Sequence, residues 1–194
     1  MVSNPINPFE YVSILISIIL GLGITQILSS FSDLLYHHKK VKFYPPHTAW
    51  ILFVLFLHIQ DWFVTYQIKD KPAWSLPELV FILLYPITLF IAAKMLLPTN
   101  TEEERFDMKV FYFSQFPMIF LLISLSILLS ILFNLFFLKA SLFQQLPLFV
   151  FMAATATISF KKITHEALHK LFAIFILMAV VLSVILEKSV WVIK

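Results

Sequence analysis

The sequence predicts an all-α fold, a polytopic bundle of six membrane-spanning helices, on three observations. Sixty per cent of the 194 residues are hydrophobic and only 13% are charged, where a soluble domain has roughly half and a quarter. Twenty-two are phenylalanine, more apolar surface than a soluble core of this length can hide. The apolar residues also come in runs of about 20, the helix length that crosses a hydrocarbon layer roughly 30 Å thick.

Taken in order, the first run covers about 10–34 (EYVSILISIILGLGITQILSSFSDL) and the second about 48–67. The third is about 78–97, the fourth about 106–138, the fifth about 142–160 and the sixth about 165–192. The breaks fall at Pro45-Pro46, at Pro72 with Pro77, at Pro98-Thr99-Asn100 and at Lys161-Lys162, where proline or charge ends a helix. The fourth run is long enough to begin as an interfacial amphipathic turn before Pro117. The acidic run Glu102-Glu103-Glu104 ahead of it suits a solvated loop and first helical turn, where carboxylates meet the positive end of the helix dipole. An acidic cation site is the other reading of that run. No connection exceeds about a dozen residues, so residues 1–194 form one transmembrane domain with no room for a soluble catalytic module.

Cysteine is absent, which removes disulfides and thiolate metal sites from consideration. The net charge of +3 is too small to argue for nucleic acid. The opening MVSNPINPFEYVS has no basic stretch, so the first run is expected to be a span and not a cleaved signal. Lys39, Lys40, Lys42, Lys94, Arg105, Lys109, Lys161, Lys162 and Lys170 share one face, against Lys69, Lys71, Lys139, Lys188 and Lys194 on the other. The positive-inside rule then places both termini outside the cytoplasm. Tyr36, Tyr44, Trp50, Trp74 and Trp191 lie near predicted span ends, where amphipathic rings favour the interface.

Polar residues inside the spans carry the functional signal. In the second span, His58 falls near the midplane and Asp61 one turn beyond it, on one helix face that Thr65 continues. An ionised aspartate in hydrocarbon must face the bundle interior, pair or take up a proton. The two residues fit a relay or cation site, and equally a buried polar lock between helices. In the first span Ser13, Ser17, Gly21, Thr25 and Ser29 recur every four residues, a small-residue row that lets helices approach closely. Such a row drifts about 40° per step around the helix. Ser17 and Gln26, with Ser126, Ser130 and Asn134 of the fourth span, are candidate walls of a polar path. Gly21-Leu22-Gly23 follows no strand and is not a dinucleotide loop. Pro86, Pro117 and Pro147 each free a backbone carbonyl in or near a span.

Residues 165–169 read His165-Glu166-Ala167-Leu168-His169, the letter pattern of a zinc-protease helix. Glu187 lies 18 residues further on, about 27 Å away along the helix, and Asp61 belongs to the opposite face. Lacking a third ligand, the pattern is expected to be coincidence. Asp33 and His37, with His165 and His169 on the same face, leave a surface metal site open as the alternative. No cofactor is expected.

The stretches Asn7-Pro8-Phe9-Glu10-Tyr11-Val12-Ser13, Ile18 to Gln26, His58-Ile59-Gln60 with Trp62, and His169-Lys170-Leu171 resemble a family of small bacterial integral membrane proteins. The resemblance implies a six-span protein of a bacterial inner membrane and no particular activity. From the residues themselves, the leading expectation is a homo-oligomeric pore or transport path for protons or small cations. The alternative is a structural, signalling or defence-effector module acting through a protein partner. A lipid-modifying or metal-dependent enzyme ranks third.

Overall fold

The residues that begin each helix supply the acceptors that its first backbone N–H groups lack. In the computed structural model, which describes residues 7–98, 105–186 and 191, helix α1 spans Pro8–Tyr36 and Asn7 caps it through Phe9 N at 3.0 Å. Helix α2, Pro45–Tyr66, opens on a proline, whose missing N–H costs nothing in the first turn. Helix α3, Leu76–Leu96, starts with a capping box in which Ser75 and Glu78 bond each other's backbone. Asp107 caps α4, Met108–Phe136, by accepting from Lys109 N and Val110 N. A 3-10 turn at Phe143–Gln145 leads into α5, Leu146–Phe160, and α6 is Glu166–Leu186. All six are long and apolar enough to cross a membrane, α5 counted with its leading turn. The chain is an all-α, multi-pass membrane bundle. The acidic run at Glu102-Glu103-Glu104 lies outside the described residues, as do Glu187, Lys188 and Lys194; at α4 the dipole-facing carboxylate is Asp107.

Helix α4 is the most buried of the six. It packs on α5 and α3, α3 packs on α1, and α2 touches α1, α3 and α6. Three polar contacts tie α4 to α5 and to the turn before it: Ser124 Oγ with Thr155 Oγ1 at 2.8 Å, Ser159 Oγ donating to the Pro117 carbonyl at 2.6 Å, and Asn134 Nδ2 donating to Gln145 Oε1 at 2.9 Å. Bonds between helices in lipid average about 0.6 kcal/mol, so these align the pair more than they stabilise it.

Outside the spans, β1 (Val41–Lys42) and β2 (Phe106–Asp107) pair in parallel and join the α1–α2 and α3–α4 connections. Lys42 Nζ lies 3.1 Å from Asp107 Oδ2 across that clip.

The buried row of α1 is Phe9, Val12, Ile16, Leu20, Gly23, Ile27 and Leu34. The small-residue row starts beside it, with Ser13 and Ser17 half-buried, and winds outward until Gly21, Thr25 and Ser29 are exposed. A 40° drift per four residues accounts for this path. Within one chain, the row therefore packs against no neighbouring helix beyond its first two members. Trp50 and Tyr44 also differ from expectation: both are buried, because the start of α2 is walled by α4 and α6 aromatics.

Candidate functional site: a one-sided polar vestibule

A cavity of about 690 Å³ is bordered by α2 to α6. Its polar lining includes Asp61, Ser126, Ser130 and Asn134, four residues that the sequence marks as candidates. Gln60, Gln67, Tyr85, Gln144, Gln145 and Ser183 complete the polar surface. The cavity begins beside Phe53, Leu57 and Phe151, near the middle of α2 and α5. Its lining extends to Gln67, Ala140 and Gln144, in the α2–α3 and α4–α5 connections. It therefore faces the side of the bundle on which α1 begins.

Asp61 defines the chemistry. Its Oδ2 is buried and has no hydrogen-bond partner, and among the described residues no lysine or arginine lines the cavity. In hydrocarbon a carboxylate in that position needs a proton or a cation to complete it.

His58 lies one turn away and serves a different contact. Its Nδ1 is 2.7 Å from the Val54 carbonyl; since a carbonyl only accepts, Nδ1 carries the hydrogen and Nε2 is left with its lone pair. That nitrogen is buried without a partner and faces α1, where a Cβ built on Gly23 would overlap the imidazole. No hydrogen bond joins His58 to Asp61. Ser17 and Gln26 belong to α1, which does not line the cavity, and the Gln26 amide is bonded to Ser30 Oγ at 2.9 Å.

Beyond Phe53 and Phe151 the bundle is closed by rings. Trp50 and Phe120 lie 4.7 Å apart by centroid, Phe151 and Phe172 5.5 Å, and Phe53 and Phe151 6.1 Å at 90°. Phe116 and His169 extend the block toward the opposite face at 4.9 Å. The polar lining residues thus lie in one half of the bundle, and an aromatic plug fills the other half.

His169 also answers the zinc-motif question. Its Nε2 donates to the Ile163 carbonyl at 2.7 Å, and its Nδ1 accepts from the Tyr112 hydroxyl at 2.7 Å. No lone pair is left for a metal. Glu166 is bonded to Lys109 Nζ at 2.5 Å and to Lys170 at 2.9 Å, and His165 is exposed ahead of the helix. The stretch is a clamp joining the starts of α4 and α6. At the end of α1, His37 Nδ1 bonds the Asp33 backbone carbonyl at 2.9 Å, which turns the ring onto its own helix. Among the described residues, no three His, Cys, Asp or Glu side chains are grouped to hold a metal.

The glutamines were the residues that sequence reasoning missed. Gln60 adjoins Asp61, a signal that was present; Gln144 and Gln145 stand in a connection, and only the approach of α5 to α4 brings them to the cavity.

No protein family model, curated protein or solved structure matches this chain.

Proposed function

We propose that the protein is a path for protons or small cations in a bacterial inner membrane, with the vestibule as its open half and Asp61 as the group that receives the ion. The observation that carries this reading is the unpartnered Oδ2 of Asp61 in a cavity lined by Ser126, Ser130 and Asn134. Hydroxyls and carboxamides supply the oxygens that replace water around an arriving ion. The lysine and arginine distribution supports a mouth on the non-cytoplasmic side with the termini. The aromatic plug around Trp50, Phe120 and Phe151 is the gate, and passage requires the helices carrying it to part. His58 enters the proposal as the contact that sets α2 against α1, and Ser17 and Gln26 lie outside the path. The exposed Gly21, Thr25 and Ser29 row supplies a close-packing face for a second copy.

The test is proton and potassium flux in proteoliposomes, comparing wild type with Asp61→Asn. Flux that falls at least about tenfold in the variant, a loss of roughly 1.4 kcal/mol of barrier lowering, with oligomeric state unchanged, is the expected result. A wild type that carries no flux above empty liposomes overturns it. The second reading, a partner-dependent membrane module, would then stand, favoured by the rings that close half of the bundle.

A further inference from the structure

We infer that the cation this vestibule is built to hold is a small organic ammonium ion, larger than a bare proton or metal cation. The inference rests on the reading of Asp61 as the cation's partner and gives the vestibule a larger monocation than the protons or small inorganic cations of the proposed path.

Size is the first argument. A water molecule occupies about 30 Å³ of liquid, so a cavity of about 690 Å³ around a single inorganic ion would be nearly all solvent. Cavities of roughly 300–1,000 Å³ are the size that encloses small organic ligands.

The donor set is the second. A calcium ion collects six to eight oxygens, carboxylates among them, and magnesium demands a near-ideal octahedron. Among the described residues the cavity has a single carboxylate, Asp61, and they contain no metal-binding group of three. An ammonium head asks for less: three acceptors around one N–H₃⁺, with one negative charge behind them. Asp61 of α2 supplies the charge, and Ser130 and Asn134 of α4 carry further oxygens in the same lining.

The apolar part of the lining is the third. Phe133, Phe151 and Tyr85 stand among the same residues. Aromatic faces attract a cation held within about 6 Å, and they also shelter a carbon skeleton, which an inorganic ion does not possess. With one carboxylate and no lysine or arginine among the described lining residues, the charge complement is a monocation. A shallower depression at the mouth carries Lys71, whose charge is met by Glu78 at 2.8 Å.

The experiment is isothermal titration of the purified, detergent-solubilised protein with 2-phenylethylamine, which is protonated at neutral pH, and with its neutral counterpart 2-phenylethanol. The amine is expected to bind at least about tenfold more tightly than the alcohol, a difference of roughly 1.4 kcal/mol, and to stay bound in excess potassium. Asp61→Asn should abolish the preference for the amine, and Phe133→Ala should weaken the amine severalfold. If Asp61→Asn does not fold, the amine-against-alcohol comparison on wild type decides alone. Equal binding of amine and alcohol, displacement by potassium, or no amine binding at all overturns the inference. Failure of the broader reading looks different: amine binding without any proton or potassium flux leaves this inference standing and removes the ion path. Flux that depends on Asp61 without amine binding does the reverse.

Discussion

Two glycines two residues apart in α1 meet opposite surroundings, and the difference is a testable consequence of helix geometry. Gly21 has nothing within 4 Å of where a Cβ would stand, whereas a Cβ on Gly23 would enter the His58 ring. That ring cannot swing aside freely, because it is fully buried and its Nδ1 is held by the Val54 carbonyl. Gly23→Ala should therefore lower stability by about 1–3 kcal/mol, the range for overpacking a filled contact. Gly21→Ala should fall within about 0.5 kcal/mol of wild type, as substitutions away from packed contacts do. Thermal unfolding of the two variants in the same detergent separates them, and equal losses would sink the contact. The sequence pointed to Gly21 through its four-residue row and gave Gly23 no packing role. A helix that is apolar all round does not announce which side meets a neighbour; only the row Val12, Ile16, Leu20, Gly23, Ile27 in the folded bundle does. The same limit applies to His58 and Asp61. Their spacing predicts one shared face, yet 60° of rotation is enough to send His58 to α1 and Asp61 to the vestibule.

At the scale of elements, span number and order were legible, because length in hydrocarbon is a strong constraint. Observed helices start a few residues before the apolar runs at Pro8, Pro45 and Leu76, since caps and first-turn prolines are polar or neutral in hydropathy yet helical in geometry. The β1–β2 clip was not legible: two residues on each side pair only because α1, α2, α3 and α4 bring their connections together. That clip predicts an acid sensitivity. Lys42, first of all, and then the backbone N–H groups of Lys109 and Val110 hold the Asp107 carboxyl below the usual carboxylate range. A carboxyl lowered in the folded state adds stability above its unfolded value of about 4, and that stability is lost as pH falls through the folded value. The pair is substantially exposed, with Lys42 at 76%, so its worth is at most about 1 kcal/mol. Melting temperature followed from neutral pH to about pH 3 should fall less steeply in Asp107→Asn, which keeps the cap and loses the charge. Parallel acid slopes in the two proteins would place the sensitivity on another carboxyl.

For the whole molecule, the informative feature is asymmetry: polar surface in one half, rings in the other. The sequence located Asp61, Ser126, Ser130 and Asn134, because polar residues inside apolar runs stand out. It could not show the plug, because Trp50, Phe120, Phe151 and Phe172 come from four helices and look like any other aromatic residues until packed. Nor could it show that Gln144 and Gln145 fold back over the cavity. The asymmetry is open to direct measurement, because the chain contains no cysteine and a single introduced thiol reports its own surroundings. Ser130 and Ser124 stand on the same helix six residues apart. Ser130 lines the vestibule, while Ser124 is buried and bonded to Thr155. A membrane-impermeant maleimide should label Ser130→Cys in intact spheroplasts and leave Ser124→Cys unlabelled in spheroplasts and inverted vesicles alike. Labelling of Ser130→Cys only in inverted vesicles would reverse the orientation read from the lysines while keeping the vestibule. Labelling of Ser124→Cys from the opposite face would mean that water crosses the aromatic half. In that case the rings are a lining and not a gate, and the path is a pore open from end to end.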